Sequence, residues 1–443
     1  MLALGKNRNL LVLALLGLLV VAWTAWVPAA SAAPAPAAPL QTLQTLHWWT
    51  SASERRAADL LGARLAEEGV AWKDGAIPGG AGVGADKVLK SRVLAGDAPD
   101  AMQLIGTSLD EWADAGLLLE IDKVAQADNW RSVLFPSIFQ LVQHRQHVFG
   151  VPLGIHRINS LFYNQKLFRK YKLAPPANWA ELAQAARVLQ AAGVTPLAQS
   201  SEPWQIATLF ENLVLAEGGP AYYRALFVAQ TAQATADRRL LQALERLRIM
   251  KTWTARPVAE RSWTAVVRQV ANGEAAMVVM GDWAKGELNE WGLQADVEFG
   301  CIAMPGTDNY HLYSVDTVAM FASDYSHMPA QEKLASVAVR PSVQAEFNRL
   351  KGSVPVRRDA DTAKMDSCAR ASWRTFARGP AQQVPSLAHR MAADQESREA
   401  IIAEIYRYFM DDRVTPGETQ KRLDMILRGF RLRKRGSEAA PSA

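Results

Sequence analysis

Apolar and polar positions alternate from Thr45 to Trp49, which predicts a strand carrying Trp48 and Trp49 at its C-terminal end. Ser51-Ala52-Ser53-Glu54 follows at once. A cap hydroxyl and a carboxylate three residues on satisfy each other's backbone donors, so a helix should start here and run on through Leu60, Leu61 and Leu65. Ala101 to Ile105 reads as a second strand, ending at Gly106-Thr107-Ser108 before an acidic helix start. Val148 to Leu153 and Leu161 to Tyr163 read as further strands, and Asn178 opens an amphipathic helix through Leu182, Val188 and Leu189. Ala275 to Met280 and Val315 to Phe321 are apolar enough to be buried strands. Strands alternating with helices predict an α/β architecture with mixed sheets. In such sheets ligands collect beyond the carboxyl ends of strands. Trp48, Trp49, Gly106, Asp282 and Trp283 all fall at such ends.

The N-terminus carries a different pattern. Lys6 and Arg8 precede an apolar run from Leu10 to about Trp23, then Val27-Pro28-Ala29-Ala30-Ser31-Ala32. That is the layout of a cleaved secretory signal over 1–32, and no Cys follows the run to take a lipid anchor. Residues 33–42, rich in Ala and Pro, read as a flexible lead-in, and 431–443 as a disordered basic tail. An exported body changes the reading of the two cysteines. Cys301 and Cys368 are expected to form one disulfide, with two buried thiols as the alternative.

At about 150 residues per domain, 443 residues allow two or three domains or one large bilobal body. Charge adds little, since 49 Lys+Arg against 44 Asp+Glu leave +5, or +3 without the two cations of the signal segment. No dense basic stripe interleaved with aromatics is present, which argues against a nucleic-acid binder. The 14 Trp are more informative, because flat rings cover the apolar faces of ligands such as sugars as well as filling cores.

The chain has no His-Glu-x-x-His, no Cys-x-x-Cys and no Gly-x-Ser-x-Gly motif. His144 and His147 read as a solvated helix face rather than a metal site. The run Gly79 to Gly84 lacks the Lys-Ser/Thr ending of a phosphate loop and reads as a mobile loop leading into a helix over Asp86 to Leu94. No nucleophile is marked, and neither metal nor cofactor is expected.

Weak motifs run in order through nearly the whole chain. They are His47-Trp48-Trp49-Thr50-Ser51, Trp72-Lys73-Asp74-Gly75, Val88-Leu89-Lys90-Ser91-Arg92, Ile155-His156-Arg157, Glu202-Pro203-Trp204-Gln205, Met280-Gly281-Asp282-Trp283-Ala284-Lys285, Pro305-Gly306-Thr307-Asp308, Lys351-Gly352-Ser353-Val354-Pro355-Val356-Arg357, Asp366-Ser367-Cys368 and Leu387-Ala388-His389. Together they resemble the periplasmic solute-binding proteins of bacterial sugar ABC transporters, the family 1 extracellular binding proteins, most closely the glucose-binding type of Pseudomonas-like bacteria. The resemblance implies a two-lobed α/β periplasmic-binding-protein fold with a hinge and a central ligand cleft. It places 43–155 mainly in lobe one, 156–300 mainly in lobe two and 301–370 in crossing segments returning to lobe one, with C-terminal helices over 371–430 closing the lobes.

By the same resemblance Trp48 and Trp49 pack on pyranose faces, while Lys90, Asp316, Lys351 and His389 hydrogen-bond the hydroxyls. Glu54 and Trp283 line the cleft, and Cys301 and Cys368 match the family's pair. The implied activity is periplasmic binding of a monosaccharide, glucose first, and delivery to the permease subunits of an ABC importer by a monomer without enzymatic activity. Local alternatives stand beside these roles: Trp49 as core, Lys351 as a helix-end cation, His389 as a surface histidine, Asp282 as a helix cap. Asp316 interrupts an apolar strand, where a carboxylate needs partners; its removal is expected to abolish binding with little loss of apo stability. Ser314 and Gln199-Ser200-Ser201 depart from the glucose-binding pattern. An exported carbohydrate-active enzyme and a sugar-sensing receptor subunit are the other readings.

Overall fold

The computed structural model describes residues 41–79 and 82–439; residues 1–40, on which the expected signal segment and most of the expected lead-in fall, Gly80, Ala81 and residues 440–443 lie outside the described residues. Strands are β1 (Gln41–His47), β2 (Val70–Ala76), β3 (Ala101–Leu104), β4 (Gln143–His144), β5 (His147–Val148), β6 (Gly150–Arg157), β7 (Ser160–Asn164), β8 (Thr195–Leu197), β9 (Ala275–Met280), β10 (Phe299–Ala303), β11 (His311–Met320) and β12 (Gln383–Pro385). Labelled helices are α1 (Ala52–Ala66), α2 (Val83–Leu94), α3 (Pro203–Phe227), α4 (Trp283–Glu290), α5 (Pro341–Lys351), α6 (Gln395–Met410) and α7 (Pro416–Ala439).

Lobe one is built on a six-stranded mixed sheet. β1 lies between β2 and β3, parallel to both. The long β11 runs antiparallel to β3 and β6 and parallel to β12. A strand central in its sheet must bury both faces. β1 does so: Leu43 joins the main core of the lobe with Leu61 and Val315, while Leu46 joins a second cluster with Leu89 and Met102. Lobe two is built on a four-stranded sheet in the order β10-β7-β9-β8. Its core takes in α3, residues 238–251 and the C-terminal α6 and α7, through side chains such as Phe210, Leu244, Ile401 and Leu427.

Chain segments cross between the lobes at 158–159, 304–310 and 386–394. Asn159 ties the first two together. Its Nδ2 donates to Thr307 Oγ1 at 2.9 Å and the Tyr310 carbonyl at 3.0 Å, and its Oδ1 accepts from the Leu312 N–H at 3.0 Å. Cys301 and Cys368 are disulfide-bonded, with Cα atoms 6.0 Å apart. The bond joins β10 to the helix that returns to lobe one. Unfolded without reductant, the protein should react with no thiol reagent; two labelled cysteines would contradict the bridge.

Several boundaries move. Residues 41 and 42 are not lead-in but the first pair of β1 with β2. Residues 371–385 stay with lobe one, where Phe376 enters its core and β12 its sheet, so the closing helices begin at α6. The tail is not disordered from 431: α7 continues to Ala439. Leu, Arg, Lys and Glu sustain a helix there, Arg431 donates to the Gln230 carbonyl, and Arg433 pairs with Glu396 at 3.1 Å.

Candidate functional site

Ser51 forms the capping box its spacing predicts: its Oγ accepts from the Glu54 N–H at 3.4 Å, and Glu54 Oε2 accepts from the Ser51 N–H at 3.2 Å. That leaves Glu54 Oε1 free to accept from Lys351 Nζ at 2.8 Å. Lys351 ends α5, and the positive φ of Gly352 (90°) stops the helix there. A Cβ at Gly352 would also come within 2.3 Å of the Asp282 carbonyl, so only glycine lets the two lobes meet at this point.

From Lys351 the charges alternate across both hinge strands. Lys351 Nζ lies 3.7 Å from Asp316 Oδ2 on β11. The same oxygen is 3.2 Å from His156 Nε2 on β6, and His156 Nδ1 is 2.6 Å from Asp282 Oδ1 at the start of α4. Gln103 Nε2 donates to Asp316 Oδ1 at 2.8 Å. Asp282 stands at the N-cap position of α4, but its side chain makes no cap bond; its second oxygen accepts from the Arg157 N–H at 2.9 Å. Three carboxylates thus hold two cations, all buried.

The network sets the protonation of its members. Burial works against a charge on His156, but Asp282 and Asp316 outweigh it and raise its pKa to about 9. Burial pushes the Asp316 carboxyl up, and Lys351 and His156 overcome it to hold the group well below the usual carboxylate range. Burial likewise opposes charge on Lys351, and Glu54 and Asp316 overcome it. His389 has no such support. Burial, aided by Arg398, lowers its pKa to about 3, so it is neutral and shares a 3.2 Å hydrogen bond with Thr208 Oγ1.

This network floors a cleft of about 310 Å³. Trp204, Trp283 and His389 form one wall, their ring centroids 5.0–6.3 Å apart. Trp48 lines the cleft as well, its ring against Gly82, where a Cβ would meet it at 2.9 Å. Thr50, Trp263, Thr264, Ser314, Glu202 and Arg390 complete the lining that bears on function.

Of the side chains singled out from sequence, Trp48, Glu54, Trp283, Asp316, Lys351 and His389 line this cleft. Trp49 does not. It is fully buried in the lobe-one core, stacked on His47 at 4.8 Å and edge-on to Phe347 at 5.7 Å. Beyond the end of β1 the chain sends one indole to the cleft and its neighbour to the core. Lys90 does not line it either: it is exposed on α2, with Nζ 3.4 Å from Gln395 Oε1. Lys90→Ala should therefore change ligand affinity by less than about twofold, as expected of an exposed side chain; a larger loss by titration would return it to the site.

Sequence reasoning missed His156, Trp204, Trp263 and Arg390. His156 and Trp204 sat in recognised motifs, but His156 gains its role from standing opposite Ser314 in the β6–β11 register. Gln199 is buried away from the cleft, and Ser200 Oγ accepts the N–H groups of Glu202 and Arg261, so that stretch shapes the loop bearing Glu202. His144 is not on a helix but in the β4–β5 hairpin, held by Asp110 and Asp114 at 2.9 and 2.8 Å. Among the described residues one trio, Glu120, Asp122 and His147, brings metal-ligating atoms within 4.8 Å of one another; it is on the surface, and His147 is already paired to Asp122 at 2.6 Å.

Comparison with known proteins gives a consistent relationship. A sequence profile of the bacterial extracellular solute-binding proteins matches residues 49–344. A protein of Brucella melitensis described as a probable sugar-binding periplasmic protein is 33% identical over 366 residues, 82% of this chain and 87% of that one. The xylose/arabinose-binding protein XacG of Haloferax volcanii is 25% identical over 303 residues, 67% of this chain and 64% of that protein. Among solved structures the bacterial solute receptor AcbH, reported to prefer β-D-galactopyranose exclusively, superimposes with a TM-score of 0.76 at 17% identity, covering 89% of this chain and 99% of its own.

Proposed function

The chain belongs to the bacterial extracellular solute-binding proteins, and from that premise we propose that it binds a monosaccharide, glucose first, in the periplasm and hands it to the permease subunits of an ABC importer. The observation that carries the ligand class is the pairing of aromatic walls with a charged floor. A pyranose has apolar C–H faces and a rim of hydroxyls. Trp48, Trp204 and Trp283 offer planes for the faces. Asp316, Glu54 and Lys351 offer charge-assisted hydrogen bonds to the rim, stronger than neutral ones. The cleft volume of about 310 Å³ is at the small end of the roughly 300–1,000 Å³ typical of ligand sites, which favours one ring over a chain of them.

The floor sits on the strands that connect the lobes, so a ligand bound there touches both lobes and the hinge together. That favours closure around the sugar and a closed form for a transport partner to recognise. Ser314 shortens the hinge-strand side chain opposite His156 and leaves room for a water between it and a hydroxyl. Among the described residues that line the cleft, no Ser or Thr hydroxyl is held by a His or a carboxylate as a nucleophile is by its base, which favours binding over turnover.

Calorimetric titration of the purified protein with hexoses, pentoses and disaccharides tests this. The expected result is saturable binding of a monosaccharide, glucose among the ligands, and unchanged sugar after long incubation. Binding confined to disaccharides, or appearance of a product, would contradict the proposal.

A further inference from the structure

The cleft differs in how its charges are paired. Each cation that lines it already has a carboxylate. Lys351 has Glu54 and Asp316, His156 has Asp282 and Asp316, and Arg390 has Asp86 on α2. His389 is neutral. Glu202 is the exception in the other direction. Among the described residues no Lys, Arg or His nitrogen lies within 4.0 Å of its carboxylate. Its Oε2 accepts from two neutral donors, Trp204 Nε1 at 2.8 Å and Gln205 Nε2 at 2.6 Å, and its Oε1 accepts none. Across the lining and its direct partners, five carboxylates (Glu54, Asp86, Glu202, Asp282, Asp316) face three cations. The Arg390 Nε is buried without a partner, so it offers one N–H to a hydroxyl, but the charge behind it is already met by Asp86.

We infer that Glu202 is a specificity-determining residue, which makes the cleft take pyranoses that are neutral or carry a protonated amine and turn away those carrying a carboxylate. The inference rests on the sugar-binding reading above. Among the described residues that line the cleft, a ligand anion would find no cation without a carboxylate, since the buried Arg157 and Arg398 behind the lining give their N–H groups to Asn159 and to carbonyls, and low dielectric would strengthen its repulsion from Glu202. A ligand ammonium would supply the cation Glu202 lacks. The Trp204 and Gln205 donors hold the carboxylate beside the aromatic wall, so it cannot swing away to solvent without breaking both bonds.

The test is calorimetric titration at neutral pH with glucose, galactose and xylose, with glucosamine and galactosamine, and with glucuronate and galacturonate, for the wild type and for Glu202→Gln. Glutamine retains an oxygen for both donors. In the wild type the uronates should bind at least about a hundredfold more weakly than their neutral parents, and the hexosamines at least as tightly as theirs. In Glu202→Gln the preference for hexosamine over uronate should shrink by about tenfold or more. Uronate binding within about threefold of its neutral parent in the wild type would overturn the inference while leaving the sugar reading intact. An unchanged preference in Glu202→Gln would remove the role from this residue. Silence from every sugar would overturn both readings together.

Discussion

Asp316→Ala should abolish sugar binding and destabilise the apo protein at the same time. Asp316 is the centre of the alternating chain, shared by His156 at 3.2 Å and Lys351 at 3.7 Å. Two adjacent hydroxyls of a pyranose can donate to its oxygens. Truncating one member of a buried charged cluster costs about 2–5 kcal/mol of binding, roughly thirtyfold to several thousandfold in Kd. The small stability change expected from sequence does not survive the geometry. Without Asp316, Lys351 keeps Glu54 and His156 keeps Asp282, but the charge between them is gone, and breaking a buried ion pair typically costs about 3–5 kcal/mol. A titration paired with a denaturant curve checks both parts. Wild-type affinity would remove Asp316 from the site, and wild-type stability would dissolve the network argument.

The second large effect is a pH dependence centred on His156. Its folded pKa of about 9 stands above the ordinary 6.5, so protonation favours the folded state. This contribution is fully present below pH 6.5, falls as pH rises, and is lost above about 9; the shift corresponds to about 3 kcal/mol. On the acid side Asp316 has the opposite sign. Its carboxyl is held below 3.8, so its contribution is present above that value and lost as pH falls. Denaturant midpoints between about pH 6 and about pH 9.5 should decline more steeply for wild type than for His156→Gln. Equal slopes would mean that His156 is not held as an imidazolium between the two carboxylates.

Local pattern made much of the scaffold legible. The Ser51–Glu54 box, the buried strand at Ala275–Met280 and the strand expected at Val315–Phe321, which runs from His311 to Met320, declare themselves within a few residues, because capping and burial act at short range. The site was legible where a side chain conflicts with its surroundings: a carboxylate inside an apolar strand, as at Asp316, demands a partner. The partners themselves were not. His156 meets Asp316 only through the β6–β11 register, and Asp282 only because α4 packs against the end of α5. Trp48 and Trp49 are chemically identical neighbours, and what separates them is the path of the chain after β1. Lys90 stands on a helix of mixed pattern whose outer face the sequence does not mark. Helices were legible up to residue 430, but the continuation of α7 to Ala439 was not, because a basic stretch that ends in small polar residues gives no apolar periodicity, although Arg, Lys and Leu are good helix formers.

The most direct test is a crystal structure of the protein with the sugar it binds best in the titration panel. The predicted result places one pyranose ring in the cleft between the two lobes, a face against Trp48 or Trp283 and adjacent hydroxyls on the Asp316 carboxylate, with Trp49 and Lys90 out of contact. A sugar seated elsewhere, for example in the lobe-one cavity beside Glu346 and Arg349, with the Asp316 oxygens touching no hydroxyl, would contradict it.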